Sequence, residues 1–213
     1  MYRKYVSNIA RERGTRFLST VDSLCVSFIE YNGVFYRLLH PRPTILLVTL
    51  CPGDRVNIMP ASWNLPISEE PPTIGVAVYR ETFTYQCLNY HPEATINVPS
   101  IEHVDLIYQL GSVSGRDVDK IREFKVQLIP SDIVKAPTWR DAIAVYEVRV
   151  MNRLDVGEST LFVFEVLKVK VKPGIADEWS IDFSKTNIPL HGGAGRVFHR
   201  VDPRKVFAKK SLK

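Results

Sequence analysis

Residues 43–99, PTILLVTLCPGDRVNIMPASWNLPISEEPPTIGVAVYRETFTYQCLNYHPEATINVP, decide how this chain folds. Thr44–Leu50 is a β-branched apolar run between Pro43 and the turn-forming Cys51-Pro52-Gly53-Asp54, the pattern of a buried strand followed by a tight turn. Val56–Asn64 is a second extended segment of small residues, amides and Trp63. Thr73–Tyr79 is a third, and at Arg80-Glu81-Thr82-Phe83-Thr84 its period shifts towards a helix. A helix that starts with hydroxyls beside a guanidinium offers free N–H groups and a positive dipole end, which suits a phosphate.

Working outward, Ser23–Glu30 and Val34–Leu39 flank Tyr31-Asn32-Gly33, and Asn-Gly between two β-type runs predicts a hairpin. Thr84–Tyr90 reads as a helix stopped by His91-Pro92, and Ala94–Val98 as a returning strand. Val104–Leu110 and Asp117–Phe124 read as helices joined by a flexible Gly111–Gly115 link, and Lys125–Ile129 as a strand. Ile143–Leu154 and Ser159–Val171 alternate as long strands joined by Asp155–Glu158, with a final strand over Arg196–Val201. Many strands at short intervals with few helices predict a mainly β fold, a β-barrel with peripheral helices. Residues 1–22 are expected to be an N-terminal arm, 23–201 the barrel domain, and 202–213 a basic tail.

Composition narrows the function classes. With 213 residues and 45% hydrophobic content the chain can bury a core without a metal or disulfide staple. Cys25, Cys51 and Cys87 are odd in number and far apart, and read as reduced thiols of an intracellular protein. No run approaches the ~20 apolar residues of a membrane span, and no apolar segment follows the basic start, so a cytoplasmic location is expected. The net charge of +5 is spread out except in the tail, which argues against a nucleic-acid partner. No His/Cys spacing suits a zinc site, Gly193 and Gly195 lack the third glycine of a dinucleotide fingerprint, and Val113 stands where a nucleophile elbow needs serine.

Asn57-Ile58-x-x-Ala61-Ser62-Trp63, Pro71-Pro72, Arg80-x-x-x-Thr84 and Asn97-Val98-Pro99 resemble the flavin reductase-like, FMN-binding split-barrel family. Gly115-Arg116-Asp117-Val118-Asp119-Lys120 and the Pro189–Phe198 stretch resemble later motifs of that family. The resemblance covers most of Pro41–Val201 and includes flavoredoxin and the reductase components of two-component monooxygenases. It implies an FMN-binding split barrel that forms a homodimer with the flavin near the subunit interface. It also implies hydride transfer from NADH or NADPH to FMN, with FAD as a possible substitute. The alternative is an electron-transfer flavoprotein served by a protein partner, and the downstream acceptor is a monooxygenase or another electron-acceptor protein.

On that resemblance Arg80 and Thr84 hold the phosphate with Thr82 as helper, while Asn57, Ala61, Ser62 and Trp63 lie along the flavin. Read as structure alone, Arg80 is a surface residue, Thr82 a helix cap and Trp63 a core residue. Asn97 is either a flavin contact or a turn-maker. Lys120 either reaches the flavin or a nicotinamide phosphate, or is a solvated helix lysine. His191, Gly192, Gly193 and Arg196 either border a nicotinamide or form an ordinary loop. No catalytic side chain and no metal are required, because the flavin itself accepts the hydride.

Overall fold

The structure, a computed structural model, describes residues 28–209. The chain divides into two units, Met1–Gly33 and Val34–Lys213. Of the first, only the exposed segment 28–33 is described, so the whole of the expected arm, residues 1–22, lies outside the described residues.

The second unit is built on β2 (Ile45–Cys51), β3 (Arg55–Ala61), β4 (Asn64–Glu69), β5 (Pro72–Tyr79), β6 (Glu93–Val98), β9 (Ala144–Val156) and β10 (Ser159–Val171). These form one antiparallel sheet in the order β3-β2-β6-β9-β10-β5-β4. The small strands β1 (Arg42–Pro43), β11 (Leu190–His191) and β12 (Phe198–His199) make a second sheet, and β7 (Leu128–Ile129) pairs with β8 (Thr138–Trp139). Helices α1 (Phe83–Tyr90), α2 (Val104–Ser112) and α3 (Lys120–Glu123) complete the described elements, with 3-10 turns at Phe35–Leu39 and Ile101–His103.

Strand β2 explains why an unbroken apolar run is needed. Its alternate side chains enter two different cores: Ile45 and Leu47 face one, Leu46 and Val48 the other. The first core gathers Ala61 of β3, Val76 and Val78 of β5, Phe162 and Phe164 of β10, and Leu88 of α1. Strands from both ends of the sheet contribute to it, so the sheet curls round this cluster. The second core packs Ile107 and Leu110 of α2 against Ile58, Val145 and Trp139. Completely buried Phe162 and Phe164 stack at 6.1 Å, and truncating either to alanine costs ~3–5 kcal/mol.

Several expectations change in detail. Val34–Leu39 is not a strand: Phe35–Leu39 is a 3-10 turn, whose Tyr36 ring packs edge-on against Trp63 at 5.4 Å. Neither Asn32 nor Gly33 has the positive φ that a two-residue Asn-Gly hairpin demands, and residues 23–27 of the other expected strand lie outside the described residues. The stretch after Trp63 is a paired strand, β4, at the sheet edge, where proline is tolerated. Gly111 and Ser112 belong to α2, and the helix expected from Asp117 starts at Lys120, capped by the Asp119 carboxylate accepting from Arg122 N–H at 3.2 Å. The β9–β10 hairpin closes on Gly157-Glu158 alone, with Gly157 at φ +56° where only glycine sits without strain.

The cysteines require a correction. Cys51 and Cys87 form a disulfide, with Cα atoms 4.2 Å apart. They are 36 residues apart in sequence and meet because α1 crosses the end of β2, a tertiary juxtaposition that spacing does not disclose. The thiol argument for an intracellular location therefore falls away. Among the described residues, no helix is long and apolar enough to cross a membrane.

Candidate functional site

Two adjoining cavities run along β3, sharing Pro60, Gly111 and Ser112. One, of about 510 Å³, is walled by Asn57 of β3, Thr82–Thr84 at the start of α1, Gly115 and Arg116 of the following loop, and Lys120 of α3. The other, of about 380 Å³, is walled by Thr44, Ala61, Ser62, Tyr108, His191 and Gly195. The groove is thus polar at the α1 end, where Lys120 and Arg116 stand with Glu81, and lined at the other by small residues with Tyr108, His191 and Phe198.

Lys120 is the main source of positive charge inside it. Its side chain is buried, and its Nζ donates to the carbonyls of Leu110 at 2.6 Å and Ile58 at 3.2 Å. Among the described residues no carboxylate lies within ion-pair distance of it, and burial lowers its pKa to about 8. An ammonium has three N–H donors, so one remains for an anion in the cavity. A buried charge without a counter-ion is costly, and an anionic ligand removes that cost.

Asn57 carries the second signal. Its Nδ2 donates to Thr84 Oγ1 at 2.9 Å, which fixes the amide, while its buried Oδ1 has no partner among the described residues. At the other end of the groove Thr44 Oγ1 is likewise buried and unpaired. An orphaned buried acceptor costs ~1–3 kcal/mol unless a ligand donor meets it. Gly115 packs directly against Asn57: a Cβ there would overlap the amide oxygen and lie 2.9 Å from the Phe83 ring. Glycine is required at this point by close approach.

Thr82 is the N-cap of α1. It accepts from Tyr85 N–H at 3.2 Å and donates to the Tyr79 carbonyl at 2.8 Å, so its hydroxyl is already engaged. Thr84 is buried against Asn57. Ala61 and Ser62 line the second cavity together.

The structure does not bring the remaining candidates to this groove. Arg80 turns to the β9–β10 hairpin, where it donates to the Gly157 carbonyl and lies 3.9 Å from Asp155. Trp63 points the opposite way from Ser62, into a separate apolar cavity of about 330 Å³ beside Phe35, Tyr36 and Leu65. Asn97 is in the core: its Oδ1 accepts from Trp139 N–H at 3.0 Å and its Nδ2 donates to the Leu46 carbonyl at 3.2 Å. It ties β6, β2 and β8 together and neither makes a turn nor faces the groove.

Two residues missed in the sequence stand on the walls. Arg116 donates to the Glu81 carbonyl at 2.6 Å and supplies the guanidinium that Arg80 does not; its place beside Gly115 in the Gly-Arg-Asp segment was the available signal. Tyr108 is an exposed-side aromatic of α2. A hydrogen bond from Arg196, whose guanidinium sits 5.0 Å from the ring, lowers its phenol pKa. Of the closing loop, His191 and Gly195 reach the second cavity.

The groove fits a flavin mononucleotide in its donor chemistry: a cationic, amide-bearing end for a phosphate and ribityl chain, and a small-residue strand for a flat ring. An uncharacterized protein of Escherichia coli, YddH, is 30% identical over 165 residues, covering 75% of this chain and 87% of that protein. The flavoredoxin of Desulfovibrio vulgaris (Miyazaki F) superposes with a TM-score of 0.71 at 25% identity, covering 89% and 97% of the two chains. An FMN-binding protein of Thermus thermophilus superposes with a TM-score of 0.72 at 23% identity, covering 92% and 99%. The mainly β architecture is therefore that of the FMN-binding split barrels. The model of the flavin reductase like domain matches residues 36–190, nearly the whole of the second unit's strand framework, and the chain belongs to that family.

Proposed function

We propose that this protein is an NAD(P)H:flavin oxidoreductase that binds FMN, with the phosphate at the Lys120 end of the groove and the ring along Ala61-Ser62. The buried ammonium of Lys120, held by two backbone carbonyls and without a carboxylate partner among the described residues, is the observation that carries this reading. When bound, the flavin supplies a two-electron centre that accepts a hydride and passes electrons on. The chain's own residues bind and orient. Lys120 and Arg116 attract the phosphate, and Asn57 Oδ1 accepts from a ribityl hydroxyl. Thr44 Oγ1 and the β3 backbone meet the polar edge of the ring, and Tyr108 and His191 border the face open to a nicotinamide. No general base is assigned. Positioning of the two reactants and exclusion of water account for the rate.

The test is a titration of purified protein with FMN, followed by NADH and NADPH. Saturable binding and flavin-dependent nicotinamide oxidation support the reading. Failure of FMN and FAD alike to bind refutes it. The second reading, an electron-transfer flavoprotein reduced by a protein partner, is favoured by the likeness to flavoredoxin. It predicts bound flavin that neither NADH nor NADPH reduces. We further infer a homodimer and an electron-accepting protein partner such as a monooxygenase. The exposed Trp63, Leu65 and Ile67 on and beside edge strand β4 support a subunit contact there.

A further inference from the structure

The disulfide lies directly beneath the phosphate end of the groove. Cys51 closes β2, Cys87 lies one helical turn after Phe83 in α1, and these three buried side chains form a cluster of their own. Phe83 walls the 510 Å³ cavity. The Arg55 guanidinium stacks on the Phe83 ring at 5.1 Å and donates to the Gly115 carbonyl at 2.6 Å. Gly115 in turn packs against the unpaired oxygen of Asn57. A continuous path of contacts thus joins the sulfur–sulfur bond to the groups offered to a flavin, through a close-packed region that transmits displacement.

We propose that the Cys51–Cys87 bond is a thiol-redox control on flavin retention. While it is closed it holds α1 on β2, seats Phe83, and through Arg55 fixes the Gly115 loop. Opening needs a dithiol reductant. The S–S bond breaks, two electrons and two protons convert the sulfurs to two S–H groups, and the reductant becomes a disulfide. The unbonded sulfurs then separate to van der Waals contact, α1 moves off β2, and Phe83 carries the wall of the cavity with it. This inference rests on the flavin reading given above.

The experiment measures FMN affinity and dissociation rate by flavin fluorescence, in air-oxidised protein and after dithiothreitol treatment under nitrogen. Circular dichroism confirms that both states are folded. Reduction is expected to weaken FMN binding about tenfold or more, within the usual range of coupling between two sites. Cys51→Ser/Cys87→Ser is expected to match the reduced protein and to ignore dithiothreitol. Arg55→Met keeps the disulfide but removes the tie from Phe83 to the Gly115 loop, so its affinity should respond to reduction less than that of the native protein; a purely structural disulfide would leave the two responses equal. Mass spectrometry after alkylation of unreduced, denatured protein should show Cys51 and Cys87 unlabelled. Equal affinity in folded oxidised and reduced protein, or labelled Cys51 and Cys87, overturns the proposal. Absence of flavin binding in both states instead refutes the flavin reading itself.

Discussion

Lys120 of α3 donates its ammonium to the carbonyl of Leu110 in the last turn of α2, at 2.6 Å. That carbonyl belongs to the negative end of a helix dipole, which stabilises a cation weakly and leaves its charge uncancelled. The residue is thereby held in place for an anion.

Lys120→Met is expected to weaken FMN binding about 10- to 100-fold, the ~1.5–3 kcal/mol of a charge-assisted hydrogen bond. Calorimetric titration measures it. The apo variant should melt no lower than the native protein, because a buried charge has been removed. Its usual pKa of 10.5 falls to about 8 on folding. Burial therefore costs roughly 3 kcal/mol of stability below pH 8. That cost fades as pH rises towards 10.5.

The same shift predicts how binding depends on pH. As pH rises through about 8, Lys120 loses its proton and its attraction for a phosphate, so the FMN dissociation constant should climb between pH 7 and 9. The phosphate is already doubly ionised over that interval and does not produce this change. In Lys120→Met the profile should be flat across that interval.

Asn57→Ala is expected to weaken flavin binding by ~1–3 kcal/mol, since the oxygen it removes has no partner among the described residues. Thermal stability should change less, the loss being the bond to Thr84. Gly115→Ala tests the same spot from the other side. Its methyl group displaces the Asn57 amide or the Phe83 ring, and flavin affinity should fall at least as far.

Arg80→Ala should leave FMN affinity unchanged within about twofold and lower stability by no more than ~1 kcal/mol, the usual worth of an exposed ion pair. Arg116→Ala measured in parallel should lose affinity. A reversal of these two results would return the phosphate to the position expected from the sequence.

The sequence made the β framework legible because periodicity and burial agree there. Ile45–Val48 is apolar and buried on both faces, and β10 alternates from its hairpin end, with Thr160, Phe162 and Phe164 buried. Lys120 and Asn57 were legible through their motifs. Arg80 was not, because its side chain is claimed by Gly157 and Asp155, some 75 residues later in the chain. Asn97 was not, because its partners Trp139 and Leu46 come from distant segments. The Cys51–Cys87 bond and the direction of Trp63 depend on the same long-range geometry.

The central claim is tested most directly by the absorption spectrum of FMN-saturated protein under nitrogen, recorded before and after NADH or NADPH is added. Rapid bleaching of the flavin band by one or both nucleotides, at a rate that falls together with FMN affinity in Lys120→Met, is the predicted result. A protein that binds no flavin, or one whose flavin affinity is indifferent to Lys120, contradicts the account.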